Sequence, residues 1–186
     1  MRRKLIDPMD RKILRQLAKR PGITQAELAS GLGMTQPSVN GRLKKLRELG
    51  ILVEEAMIDP MKMGLSMALV EVTCRNPHKV MEPIKNCPFI LNAFTLSGVE
   101  NLRLTVAAES VSTIEAFIER HLRNSPEVTA TRLNIVLSTF DAPLVPVSRL
   151  FCTKSCSRGC RTCEDYMKRC LGCPMGPDYK GEAFKN

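Results

Sequence analysis

Six of the eight cysteines in this 186-residue chain lie between positions 152 and 173: Cys152, Cys156, Cys160, Cys163, Cys170 and Cys173. Thiolates at such density either cross-link a small secreted domain or hold a metal or redox centre. The N-terminal run MRRKLIDPMD carries charge but no apolar segment, so it does not read as a secretory signal. No apolar run reaches the ~18–20 residues that span a bilayer. A cytoplasmic protein with no membrane partner is therefore expected, and with it metal or redox chemistry.

Cys160/Cys163 and Cys170/Cys173 form two Cys-x-x-Cys pairs across a short spacer. Four thiolates so spaced suit one tetrahedral Zn²⁺ in a structural knuckle. An iron–sulfur cluster takes the same number, and Cys173-Pro174 matches the Cys-Pro ending of ferredoxin-type runs. The x3-then-x2 run Cys156, Cys160, Cys163 has the radical-SAM spacing, but no suitable barrel sequence surrounds it. In a third reading the segment is a thiol switch, with Lys154, Arg158, Arg161, Lys168 and Arg169 lowering thiolate pKa values. Spacing alone does not select among Zn²⁺, iron–sulfur and bare thiols.

The second stretch with chemical character is TQAELASGLGMTQPSVNGRLKKLRELG, residues 24–50. Thr24 and Glu27 have the spacing of a capping box, with Ile23 and Leu28 as the hydrophobic staple. Thr35 is expected to cap a second helix in the same way, with Pro37 in its first turn and Met34 against Val39. Ala29, Gly33 and Val39 supply the small residue, the turn and the anchor of a helix-turn-helix, whose second helix enters the DNA major groove in known cases. Val39, Leu43 and Leu46 share its buried face. Thr35, Gln36, Ser38, Asn40, Gly41, Arg42, Lys44 and Lys45 are the candidate DNA-binding residues. Gln and Asn read adenine edges, while Lys and Arg reach phosphates or guanine. Gly41 costs ~1 kcal/mol relative to Ala within a helix, and close approach to DNA or to another helix would account for it.

Charge follows the same division. Residues 1–56 carry 12 Lys/Arg against 6 Asp/Glu, residues 65–146 carry 7 against 8, and residues 147–186 carry 8 against 4. Both ends are suited to a polyanion such as double-stranded DNA.

The supporting elements read as α+β. Asp7-Pro8 opens a helix that runs to about Lys19, with Asp10 in its first turn. After Gly50, ILVEEAMIDPMKMG reads as two short extended runs around a turn, the wing of a winged helix-turn-helix. From Met67 the apolar period becomes two, and the order is βαββαβ, a ferredoxin-like antiparallel sheet with helices on one face. Its second helix is expected to start with a capping box from Ser112 and Glu115. Leu133, Ile135 and Leu137 mark its last strand. The expected domains are 1–64, 65–141 and a cysteine-rich tail over 142–186. That tail has too little apolar material to fold unaided, so its cysteines are expected to order it.

A winged helix-turn-helix followed by βαββαβ resembles the Lrp/AsnC family of feast/famine regulators. The likeness is carried by LIDPMDRKILRQLAKRPGIT, AELASGLGMTQPSVNGRLKKLRELGIL, IDPMKMG and TLSGVENLRLTV. It implies a transcription regulator rather than an enzyme, acting as a homodimer that assembles into tetramers or octamers. It also implies a small effector, commonly an amino acid, near Gly98, Glu100 and Asn101. The forty-residue cysteine-rich extension departs from the pattern. Siroheme decarboxylases share the two-domain arrangement, but their chemistry depends on a histidine that is missing here between His78 and His121. A structural chromatin protein is the third alternative.

Overall fold

The computed structural model describes residues 5–151, 160–161, 163–174 and 176–184. The chain divides into two compact units, one up to Glu54 and one from Glu55 onward.

The first unit is three helices: α1 (Pro8–Lys19), α2 (Gln25–Leu32) and α3 (Gln36–Glu48). Asp7 caps α1, its carboxylate accepting from the Met9 and Asp10 amides at 2.8 and 2.9 Å. Asp10 answers by accepting the Asp7 amide at 3.0 Å. Thr24 and Glu27 close the expected capping box at α2. Thr35 departs from expectation, because its hydroxyl pairs with that of Ser38 at 2.8 Å and caps no amide of α3. Ile13, Leu28, Ala29, Val39 and Leu43 form the core, with Ile23 and Met34 packed against it.

In the second unit, strands β2 (Ser66–Cys74), β3 (Ile90–Thr95), β4 (Leu102–Ala108) and β5 (Val128–Ile135) form an antiparallel sheet in the order β3-β4-β2-β5. Val70, Val72, Leu102, Leu104 and Val106 bury their side chains with those of α4 (Pro77–Met81) and α5 (Val111–Ile118). A π-helical turn, Glu119–Arg123, extends α5. This is the expected βαββαβ order. Ser110, not Ser112, caps α5 by accepting the Thr113 amide at 3.1 Å. The last strand begins at Val128 and ends before Leu137.

The wing reading is corrected. The two-residue strand β1 (Met57–Ile58) does not fold back on its own neighbours but pairs antiparallel with β6 (Val145–Pro146). Ile58, Met61 and Met63 pack on the second core. That apolar demand explains why the division falls at Glu54 rather than at Gly64. The cysteine segment, entered through α6 (Val147–Leu150), belongs to the second unit as well.

The candidate DNA interface and the cysteine segment

Gly33 ends α2 in the left-handed region (φ 63°, ψ 37°), and the Met34 amide returns to the Ala29 carbonyl at 2.8 Å. A side chain at 33 would be strained there, so the turn rests on glycine. From this turn α3 buries Val39, Leu43 and Leu46 and leaves Thr35, Gln36, Ser38, Asn40, Gly41, Lys44 and Lys45 exposed. Among the described residues nothing lies within 4 Å of where a Gly41 Cβ would stand. A neighbouring helix of this unit therefore does not account for that glycine.

The cations of α3 are engaged by acids of the same unit. Arg42 Nη1 lies 2.6 Å from Asp7 Oδ2 and 2.7 Å from Asp10 Oδ1, and Lys45 Nζ lies 3.2 Å from Asp10 Oδ2. Arg47 pairs with Glu54 at 2.8 Å, and Lys44 stands 3.9 Å from Glu48. Arg42 and the Asp10 amide hold the Asp7 carboxyl down at about 2. At Asp10 burial pushes upward, but the Asp7 amide, Arg42 and Lys45 together win and the net shift is downward. Bonding to Asp7 and Asp10 raises the Arg42 pKa in turn. The sequence signal for this clamp was Asp-x-x-Asp at residues 7 to 10, which reads as capping alone until the fold brings α3 alongside.

The candidate effector residues lie in and beside the β3–β4 connection, closed by the Leu96 amide on the Asn101 carbonyl at 2.9 Å. Gly98 is exposed. Glu100 pairs with Arg132 at 3.2 Å. Asn101 is drawn into the sheet: its Oδ1 accepts the Cys74 amide at 3.0 Å, and its Nδ2 donates to the Cys74 carbonyl at 2.7 Å.

Cys152 and Cys156 lie outside the described residues. Cys160 is buried, while Cys163, Cys170 and Cys173 are half-buried. The Cys163 amide bonds the Cys160 carbonyl at 2.9 Å, and the Cys173 amide donates to Cys160 Sγ at 3.1 Å. Gly172 sits at φ +98°, where a Cβ would come within 2.9 Å of the Asp178 carbonyl oxygen, so both the backbone angle and the space demand glycine. An amide-to-sulfur bond and two Cys-x-x-Cys pairs are donor chemistry that suits zinc or an iron–sulfur cluster. The placement does not converge, however. Among the described residues no group of three Cys, His, Asp or Glu side chains is gathered to hold a metal ion. At Cys170 burial, with the neighbouring Cys160 and Cys163, pushes the pKa upward, opposite to the lowering expected of a thiol switch. Arg161 and Arg169, expected to act on the thiols, instead pair with Asp178 and Asp165, each at 2.6 Å.

The segment docks through groups other than cysteine. Glu109 Oε1 accepts the Tyr179 hydroxyl and the Glu182 and Ala183 amides. Phe184 is 6% exposed and meets Phe89, Phe151 and Tyr179 at ring distances of 6.1–6.3 Å. Thr113 donates to the Arg169 carbonyl at 3.1 Å. Tail order is thus not left to cysteines alone, as the sequence suggested.

Residues 6–53 match the winged helix-turn-helix DNA-binding family and residues 67–143 the Lrp/AsnC ligand binding domain. An uncharacterised HTH-type transcriptional regulator of Pyrococcus abyssi is 30% identical over 146 residues, covering 73% of this chain and 93% of that protein. The chain belongs to the Lrp/AsnC family. The transcriptional regulator AzlB of Bacillus subtilis is 27% identical over 73% of this chain and 90% of its own length. The solved feast or famine regulatory protein of Mycobacterium tuberculosis in complex with L-methionine is 27% identical. It covers 74% of this chain and 95% of its own, with a TM-score of 0.63. As an Lrp/AsnC protein this chain is a DNA-binding transcription regulator and not an enzyme. Family members bind DNA and form oligomers. Among the described residues no helix is long and apolar enough to cross a membrane. The Lrp/AsnC match ends at residue 143, before the six cysteines of the tail.

Proposed function

We propose that this Lrp/AsnC protein reads a specific DNA site as a homodimer and that its C-terminal thiols tune the reading. The observation that carries the first part is α3 itself. It exposes Gln36, Ser38, Asn40 and an unobstructed Gly41, while its cations are occupied by acids. Uncharged polar groups read base edges, whereas free cations favour phosphate. Two copies would place two such helices on half-sites one or more helical turns apart. Selection of duplexes from a random pool, followed by footprinting, tests this. Recovery of a symmetric site supports it, and equal binding to every duplex would favour the chromatin-type alternative.

Support for a thiol input comes from the donor set. Cys160, Cys163, Cys170 and Cys173 would hold a zinc ion or an iron–sulfur cluster, with Cys152 and Cys156 as further donors. A bound centre would supply a cross-link that fixes the tail. The tail's own residues hold it on the β4–α5 corner through Glu109 and Thr113. Metal and sulfide content of protein purified without air, together with DNA affinity of the tail Cys→Ser variant, tests the reading. Wild-type affinity in that variant under both oxidised and reduced conditions would remove it.

The likeness to the regulator bound to L-methionine supports a small effector near Gly98, Glu100 and Asn101. Calorimetry with a panel of amino acids tests that, and no heat from any member counts against it.

A further inference from the structure

Within the recognition unit, one carboxylate is wholly enclosed: Asp10 is 0% exposed. Three donors meet it. Oδ1 takes Arg42, and Oδ2 takes the Asp7 amide at 3.0 Å and Lys45 at 3.2 Å. Arg42 reaches both Asp7 and Asp10 through one nitrogen. It is only partly exposed (31%) and lies on α3 directly before the buried Leu43. A guanidinium held between two carboxylates at 2.6 and 2.7 Å is already matched by opposite charge, which weakens its pull on a DNA phosphate. Withdrawing it would leave the Oδ1 of this buried acid without its cation.

We infer that Arg42 is a positioning residue, acting through Asp7 and Asp10 to fix the recognition helix α3 against the N-terminus of α1, and that it makes no DNA contact. The inference rests on the DNA reading above. It removes from the contacting set a residue that sequence alone placed there. Base reading then falls to Gln36, Ser38, Asn40 and the space over Gly41, and Arg42 governs the angle at which they are presented.

The test uses the full chain and a duplex recovered from a random pool by the wild-type protein. Affinity is measured across a salt series for wild type and for Arg42→Gln, Arg42→Lys, Asp10→Asn and the Arg42→Gln/Asp10→Asn double variant. A positioning role predicts that Arg42→Gln and Asp10→Asn each weaken binding about tenfold. The slope of log affinity against log salt stays unchanged, and the double variant loses no more than either single one. Arg42→Lys also weakens binding, because the shorter lysine stem does not carry its nitrogen to the point from which Arg42 Nη1 meets both acids. A phosphate contact predicts the reverse: a slope shallower by about 0.9 for Arg42→Gln, near wild-type binding for Arg42→Lys, and unchanged or tighter binding for Asp10→Asn. That outcome overturns the inference. Should Arg42→Gln or Asp10→Asn fail to fold, Asp7→Asn decides. Asparagine caps α1 as well as aspartate, so its loss of affinity at constant slope reports the clamp alone, and wild-type affinity contradicts it. Absence of any duplex bound by wild type overturns the DNA reading itself.

Discussion

The Tyr179 hydroxyl donates to Glu109 Oε1 at 2.7 Å, and the Glu182 and Ala183 amides converge on the same oxygen at 2.8 and 2.9 Å. One carboxylate oxygen between β4 and α5 thereby gathers three donors from the end of the chain. Burial, with Glu109 beside it, pushes the Tyr179 pKa upward, so the phenol keeps the proton it donates.

Glu109→Gln retains the shape but weakens these bonds. Bonds to a charged acceptor contribute about 1.5–3 kcal/mol each when sheltered, and the half-exposed setting puts the total loss near the low end. Limited proteolysis followed by mass spectrometry should show cleavage after residue 160 accelerating several-fold while residues 5–151 stay resistant. Equal cleavage rates would mean that the latch is not what holds the tail.

Phe184→Ala removes the aromatic plug that meets Phe89, Phe151 and Tyr179. Truncation of a buried phenylalanine costs about 3–5 kcal/mol, more than docking of a short tail can absorb. Hydrogen exchange should rise in residues 176–184 and leave β2 and β4 protected.

The two helix starts of the recognition unit should respond differently to alanine. Thr24→Ala loses the bond from the Glu27 amide and is expected to cost about 1 kcal/mol. Thr35→Ala loses only a hydroxyl pair with Ser38, and its denaturation midpoint should lie within a few tenths of a kcal/mol of wild type. Equal losses would show that Thr35 caps α3 after all.

The acid clamp gives a defined pH response. Asp7 is held at about 2 and Asp10 is also lowered, against an ordinary value of 3.8. Groups with depressed folded pKa values contribute stability that is complete above the ordinary value and is lost as pH falls through the folded one. Thermal unfolding of the helical unit should therefore be flat from pH 7 to about pH 5 and fall steeply between pH 4 and pH 2. In Asp10→Asn that acid-range drop should shrink.

Alkylation of the thiols is ordered by burial. Cys170, with its raised pKa, carries less thiolate at neutral pH than an ordinary cysteine and should react slowly with iodoacetamide. Cys74, raised by burial with Glu127 adding to it, should also lag. Peptide mapping at timed intervals checks both, and early labelling of Cys170 would place it at the surface.

Where local rules and tertiary packing agreed, the sequence could be read closely. The Thr24–Glu27 box and the alternation of Val70 and Val72 or Leu102, Leu104 and Val106 are short-range patterns with few competing solutions. Failures came where a distant partner decided. Ser110 and Ser112 both suit a helix start, and the hydrogen bond to Thr113 selects the first. ILVEEAMIDPMKMG offers two extended runs, but Met57–Ile58 finds its partner nearly ninety residues later. Nothing local announces that the Asn101 amide bonds the Cys74 backbone at both ends. Arg42 looked like every other cation on its helix, because nothing local marks it as lying opposite Asp10. Tail docking was missed for a similar reason: its anchors are one phenol, one phenylalanine and a glutamate seventy residues away from the tyrosine.

The β1–β6 ribbon makes the second unit a closed circuit. Its incoming lead at residues 55–58 and its outgoing lead at residues 145–148 are stitched together, with the Val147 amide on the Ala56 carbonyl and the Ser148 amide on Glu55 extending the two-residue pairing. Mechanically this is a splice. The chain enters the second unit and leaves its four-stranded sheet for the tail at one and the same point.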